Sequence, residues 1–241
     1  MRVERPQLRQ RGGVLCVAAG ILCWVCLANA PRASEIDTLV FGSLDAGAAT
    51  FMTAGAKVGL PSLNGDGAVV LASLGGGRQG ARGPEASRQR YTALGAIAFG
   101  YQWFLGWGVV AAFAGPEITT QMLTDPNGST LLPSRFGLRL HGDIWARPSE
   151  DMLLQGSVVA GTALDSVWVR AAWGYRLWDT YFGPEVSLYT DASGFRKLNL
   201  GLHGTDFTLG RFSFRISAGL QSETVRRSIA PYTALSVWSP L

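Results

Sequence analysis

Along most of this chain hydrophobic and polar residues alternate with a period of two, which is the side-chain period of a β-strand and not of a helix. From Arg135 to Trp145 one face carries Phe136, Leu138, Leu140 and Ile144, and the other Arg135, Arg139, His141 and Asp143. Lys197, Asn199 and His203 likewise oppose Leu198, Leu200 and Leu202, and Ser213, Arg215, Ser217 and Gln221 oppose Phe212, Phe214, Ile216 and Leu220. The pattern predicts about twelve strands, roughly at 37–48, 50–60, 67–77, 89–103, 107–120, 134–146, 151–162, 166–178, 180–190, 195–204, 206–221 and 229–238. A soluble sandwich of two sheets alternates in the same way with its polar face to water, so the connections carry the distinction. Counted from the N-terminus, the even connections near Pro61–Asp66, Phe104–Gly106, Arg147–Glu150, Asp179 and Thr205 are short, whereas the long ones, Arg78–Arg88, Gln121–Pro133 and Ser222–Ser228, are all odd. A transmembrane barrel sorts its connections like this: short turns at the periplasmic rim, longer loops outside, and an even strand count that returns both ends to the periplasm. Trp103, Trp107, Trp178 and Tyr181 flank two of the short turns and Trp145 a third, as an aromatic belt at that rim would; aromatics capping a sandwich core are the alternative. The fold expected is an all-β antiparallel transmembrane barrel of outer-membrane type.

One block occurs twice. Gly100-Tyr101-Gln102-Trp103, a turn and Gly115-Pro116-Glu117 return as Gly174-Tyr175-Arg176-Leu177-Trp178, a turn and Gly183-Pro184-Glu185. On the barrel reading Tyr91, Ile97, Phe99, Tyr101 and Trp103 face lipid and Gln102 faces in. Val167, Val169, Trp173 and Tyr175 face lipid, with Arg170 and Arg176 inside. Each proline then points out and Glu117 and Glu185 point in; since proline cannot donate to the ladder, each block should mark a bulge or a local break in pairing. Gly100 to Gly115 is fifteen residues and Gly174 to Gly183 nine. That offset of six is roughly 20 Å along a strand, too far for the two glutamates to form one paired carboxylate site.

The N-terminus changes the picture of charge and compartment. Arg2, Arg5, Arg9 and Arg11 precede an uncharged apolar run from Val14 to Leu27 and the small residues Ala28-Asn29-Ala30, the three-part plan of a secretory signal peptide over residues 1–30. Pro31 would hinder cleavage after Ala30, so the cut is expected after Ala28 or nearby, leaving residues 31–241 as a single barrel domain. Cys16, Cys23 and Cys26 all lie in the leader and none has a lipoprotein box before it. The mature chain therefore has no cysteine, which excludes a disulfide scaffold and a thiolate metal site and fits export into a Gram-negative envelope. Most of the formal net charge of +4 belongs to the leader, so the balance is no nucleic-acid signature. No later stretch approaches the roughly 20 apolar residues of a membrane helix. A membrane-embedded mature chain must then be a closed barrel.

Several stretches of the chain resemble the BcsS family, accessory proteins of bacterial cellulose biosynthesis. They are Phe41-Gly42-Ser43-Leu44-Asp45-Ala46-Gly47, the run from Phe51 to Leu60, Gly100-Tyr101-Gln102-Trp103, Trp107-Gly108-Val109-Val110 through Gly115-Pro116-Glu117, Arg135-Phe136-Gly137, Trp173-Gly174-Tyr175-Arg176-Leu177-Trp178 through Gly183-Pro184-Glu185, and Leu200-Gly201-Leu202-His203. The resemblance implies an outer-membrane or periplasmic role in making, exporting or anchoring cellulose, with outer-membrane lipid, the glucan chain and other cellulose-synthesis components as partners. It implies no catalytic residues. Outer-membrane barrels commonly finish on an aromatic residue, and this chain departs from that with Trp238-Ser239-Pro240-Leu241.

Candidate chemistry is confined to the inward set. His141 and Asp143, two apart on one strand, form an acid and base pair of the kind envelope hydrolases use, or else a lumen hydrogen-bond network with Arg139. His203 with Lys197 and Asn199 poses the same choice. With two histidines far apart in sequence, no multi-histidine metal site is expected. Gly75-Gly76-Gly77 lacks the lysine and helix of a phosphate loop, and no cofactor is expected. The inward residues Arg135, Arg139, His141, Arg170, Arg176, Lys197, His203 and Arg215 outnumber Glu117, Asp143 and Glu185. Such a lumen binds a polyanion, or a glucan stacked on Trp168 and Trp178; alternatively its charges pair and plug a narrow barrel, which suits about twelve strands better. Three function classes follow: a non-enzymatic accessory component of cellulose production, a barrel-embedded hydrolase or acyltransferase, and a simple diffusion pore.

Overall fold

Every long strand of this protein finds a hydrogen-bonding neighbour on both sides, and the ladder returns to its own beginning. The computed structural model describes residues 37–60, 62–80, 88–224 and 229–241, all within one compact unit, Glu35–Leu241; the leader expected over residues 1–30 lies outside the described residues. In chain order the strands are β1 (Thr38–Ala46), β2 (Thr50–Leu60), β3 (Gly67–Gly80), β4 (Gln89–Leu105), β5 (Gly108–Asp125), β6 (Gly128–Leu131), β7 (Arg135–Ser149), β8 (Met152–Gly161), β9 (Ser166–Leu177), β10 (Thr180–Thr190), β11 (Arg196–Leu209), β12 (Phe212–Glu223) and β13 (Ile229–Pro240). All pairings are antiparallel between sequence neighbours, except that β5 passes over β6 to β7, and β13 pairs with β1. Twelve strands thus close a barrel, as the alternation predicted, and β6 pairs only with β5.

The connections sort by side. Residues 106–107, 150–151, 178–179 and 210–211 are two-residue turns at one end, where β1 also begins and β13 ends, and the longer loops are at the other. The exception on the short-turn side, residues 62–66, folds back against the barrel: Gln102 Nε2 donates to the carbonyls of Leu63 and Gly65 at 3.1 and 2.8 Å, and Asp66 accepts from the Phe104 backbone amide. At the long-loop end the segment expected as a loop over 121–133 is mostly a hairpin. Asp125 accepts from the Asn127 amide at 2.9 Å, a local turn of the Asx kind, and Thr124 and Ser129 pair their hydroxyls at 3.1 Å. Pro133, with no N–H to give, separates β6 from β7.

A second difference concerns Thr205, expected as a turn. The strand continues to Leu209, and the ladder with β12 slips between Thr205 and Phe207, where Asp206 takes a φ of 69°. Outward residues are Leu200 and Leu202 before this bulge and Phe207 and Leu209 after it. One extra residue reverses the phase of alternation, and a reversed phase reads in sequence as a strand end. The real turn is Gly210-Arg211.

The doubled block acquires a physical cause. In both copies the ladder to the preceding strand is interrupted at the Gly-Pro pair and resumes in the same register, between Ala96↔Glu117 and Phe99↔Ala114 in one and between Phe182↔Tyr175 and Glu185↔Ala172 in the other. This is a local break and not a bulge. The glycine lets the strands approach: a Cβ on Gly115 would lie 2.0 Å from the Ile97 carbonyl oxygen, and one on Gly183 2.0 Å from that of Trp173. Both prolines are exposed and both glutamates buried.

Gly183→Ala is expected to cost about 1–3 kcal/mol of barrel stability through this backbone clash. Nothing lies within 4 Å of a Cβ on Gly106, so Gly106→Ala should be silent. The temperature at which the detergent-solubilised protein loses its compact electrophoretic mobility measures both.

Candidate functional site

The inward-facing residues do not line an even tube; they make two unlike walls. On β3, β4 and β5 the inner face carries an apolar cluster, with Val69, Leu71, Ala98, Ala111 and Phe113 packed together and Phe41 and Leu63 against them. Across from it, strands β8 to β12 turn a connected polar network inward. The Arg215 guanidinium, 3% exposed, donates to Glu185 on β10 and Gln155 on β8, while Ser217 donates to the same Glu185 carboxylate at 3.3 Å. A buried ion pair is tolerable only when its remaining hydrogen-bonding capacity is met, and here three strands supply it. His203 is fixed at both nitrogens, Nδ1 by the Thr205 hydroxyl at 2.8 Å and Nε2 by the Trp173 carbonyl at 3.2 Å. That carbonyl only accepts, so Nε2 carries the proton. Trp173 stands opposite Pro184, which has no N–H, and the histidine from the next strand takes the acceptor up.

Between the walls lies a cavity of about 510 Å³. Its charged side chains are largely paired with one another. Arg139 meets Glu117 at 3.6 Å, and Glu117 also accepts from the Ala163 amide at 3.0 Å, with Gly161 leaving room for the carboxylate. His141 Nε2 contacts Asp143 at 3.0 Å, its ring 5.6 Å from that of Phe113. Lys197 donates to Asp45 at 2.6 Å, and Asn199 to the same oxygen at 3.3 Å. Two of the cations lining the cavity have no carboxylate within ion-pair reach among the described residues. Lys57 lies over the Phe113 ring at 5.6 Å and Arg170 over the Trp168 ring at 5.5 Å.

Of the residues singled out in the sequence, Glu117, Arg139, His141, Asp143, Arg170 and Lys197 line this cavity. Glu185, His203 and Arg215 belong to the buried network beside it, and Arg176 sits at the rim, exposed and held to Asp179 at 3.1 Å. Glu117 and Glu185 take different arginines and form no common carboxylate site. Three aromatic expectations need correction. Trp178 is 89% exposed on a turn with a φ of 54°, outside the lumen, so it offers no stacking surface there as Trp168 does. Tyr181 and Trp145 share the parity of the inward residues and point into the barrel instead of joining a belt; Tyr181 is 5% exposed and donates to the Glu150 carbonyl at 3.2 Å. Trp103 and Trp107 do face out.

Sequence reasoning missed Lys57, Asp45 and Gln155, and above all the side chains that meet across the lumen. Trp145 and Trp238 stand on β7 and β13, six strands apart either way round, with ring centroids 5.8 Å apart and nearly perpendicular planes. Toward the long-loop end Phe51 on β2 meets Tyr189 on β10 at 5.7 Å, and Gln79 on β3 reaches Asp191 after β10 at 3.5 Å. Inward parity was the one signal available for these; their mutual contact depends on barrel closure. Among the described residues no group of three His, Cys, Asp or Glu side chains is placed to hold a metal ion.

Comparison with known proteins adds the following. The family model for cellulose biosynthesis protein BcsS matches residues 39–241. The curated proteins give no match. Among solved structures, the KdgM porin is similar at 8% identity and a TM-score of 0.44, covering 84% of this chain and 99% of that one. The translocator domain of autotransporter NalP from Neisseria meningitidis is similar at 11% identity and a TM-score of 0.47, covering 87% and 90%. These likenesses stand beside the barrel traced in the ladder and add nothing to it.

Glu185→Ala leaves Arg215 buried without its counter-charge and is expected to cost about 3–5 kcal/mol. The double variant Glu185→Leu with Arg215→Met should recover most of that loss. Urea titration in detergent, followed by tryptophan fluorescence, compares the two.

Proposed function

This chain belongs to the cellulose biosynthesis protein BcsS family, and from that membership we propose that it is an accessory outer-membrane barrel of cellulose production, assisting the making, export or anchoring of the glucan. The observation that carries the reading is the conjunction of the family match with the outer surface of the barrel. At the outward positions in the middle of the long strands there is no Asp, Glu, Lys or Arg. Large apolar side chains stand exposed all round, Leu74, Phe99, Phe136, Leu202 and Ile216 each by half or more. A band of that extent on a water-soluble monomer would drive association; against lipid it is the outer face a spanning barrel needs. Export by the N-terminal leader would bring the chain to the outer membrane of a Gram-negative cell, with both ends in the periplasm. Its partners are then outer-membrane lipid, the glucan and other cellulose-synthesis components.

The two other function classes are less well supported. A wide diffusion pore needs an unobstructed lumen, and here aromatic side chains from opposite or nearly opposite strands meet across it toward each end. A nucleophilic relay needs the imidazole between hydroxyl and carboxylate; here Asp143 meets both His141 on its own strand and Ser157 across the ladder, so the carboxylate lies between the other two.

Deleting the gene is expected to lower cellulose output, with the protein itself recovered in the outer-membrane fraction and migrating faster unheated than heated. Unchanged cellulose, or recovery in the soluble periplasm, would overturn the reading. Leu200→Arg on the lipid face should cost about 2–4 kcal/mol and reduce the amount assembled in that fraction.

A further inference from the structure

We infer that the lumen cavity is a binding compartment for a short segment of neutral β-glucan, bounded toward each end by an aromatic contact that crosses the barrel. The inference rests on the cellulose reading for the identity of the sugar. The compartment itself follows from side-chain geometry.

Trp145 and Trp238 line the cavity toward the short-turn end and Phe51 and Tyr189 toward the other. Each pair joins strands on opposite or nearly opposite sides of the barrel, so each contact spans the lumen and narrows it there. Aromatic pairs of this kind hold only weakly beyond the area they bury. A ligand able to stack on the rings offsets that readily.

The chemistry between the bars selects the ligand. A glucopyranose ring with equatorial hydroxyls presents C–H faces above and below and hydroxyl groups around its edge. Faces of that kind stack on aromatic rings, and the edge asks for donors and acceptors side by side. The cavity supplies Trp168, stiffened by Arg170 lying over it, together with His141, Asp143 and Gln155. Its charge selects against a polyanion: Arg139, Lys197 and His141 each already face a carboxylate, which leaves Lys57 and Arg170 as unpaired cations. A polyanion conduit needs a continuous run of uncompensated positive charge. The volume of about 510 Å³ lies within the range of small-ligand sites and suits a short oligomer, not a long threaded chain.

Purified full-length protein in detergent micelles, titrated with cellotetraose, maltotetraose and tetragalacturonic acid, tests this by tryptophan fluorescence and calorimetry. Cellotetraose is expected to bind best, and Trp168→Ala to weaken it about tenfold, a change of roughly 1.4 kcal/mol, while Trp168→Phe keeps most of the affinity. The fast unheated migration verifies that each variant is folded. In planar bilayers the native protein should pass little current and the double variant Trp145→Ala, Trp238→Ala a larger, steady one. No binding of cellotetraose, tighter binding of tetragalacturonic acid, an unaffected Trp168→Ala variant, or equal native and variant currents would each overturn the inference. If deletion lowers cellulose but a strain carrying Trp168→Ala makes normal amounts and no oligomer binds, the compartment fails and the accessory role stands. If cellotetraose binds and deletion leaves cellulose unchanged, the accessory role fails and the compartment stands.

Discussion

A strand edge left open on this barrel would expose a full row of unpaired N–H and C=O groups in the midst of an apolar surface. Closure of β13 onto β1 removes that edge, and the other features follow from it. Closure fixes which alternate residues are enclosed, and so forces Arg215, Glu185, Lys197 and His203 into a space too narrow to hydrate them all. They can stay charged or polar there only by pairing: Arg215 with Glu185 and Gln155, Lys197 with Asp45, and His203 with Thr205 and the Trp173 carbonyl. The outward residues are released from any polar duty by the same event.

The enclosed set would plug the lumen uniformly if it were uniform, and it is not. Small apolar residues such as Ala98 and Ala111 on one wall leave room that long polar chains fill on the other. The cavity is the remainder of that asymmetry. Its roof and floor come from rings long enough to meet across the barrel, and this geometry is available only where the lumen is narrow.

Strand number, loop sorting and the faces of the doubled block were legible because each depends on local alternation. What could not be read depends on phase slips or on distant partners. The bulge at Thr205 and Asp206 shifts alternation by one and imitated a turn. Trp145 beside a short turn looked like a belt residue, because proximity to a turn does not reveal parity. Trp178 has inward parity, yet its φ of 54° turns it out of the strand. The pairing of Arg215 with Gln155, 60 positions apart in the chain, has no local signature at all.

The two Gly-Pro-Glu segments show how a motif can be repeated without forming a shared site. Each performs one local operation: glycine admits a neighbouring backbone, proline interrupts the ladder on one side while facing out, and glutamate is delivered inward beside the interruption. Where the two interruptions fall relative to other strands then decides their use. Beside Trp173 the unpaired carbonyl is taken by His203, and Glu185 anchors the buried network. Beside Ile97 the glutamate faces the cavity and holds both Arg139 and the inward-folded Ala163. The same three residues therefore build the solid half of the lumen in one copy and brace the open half in the other.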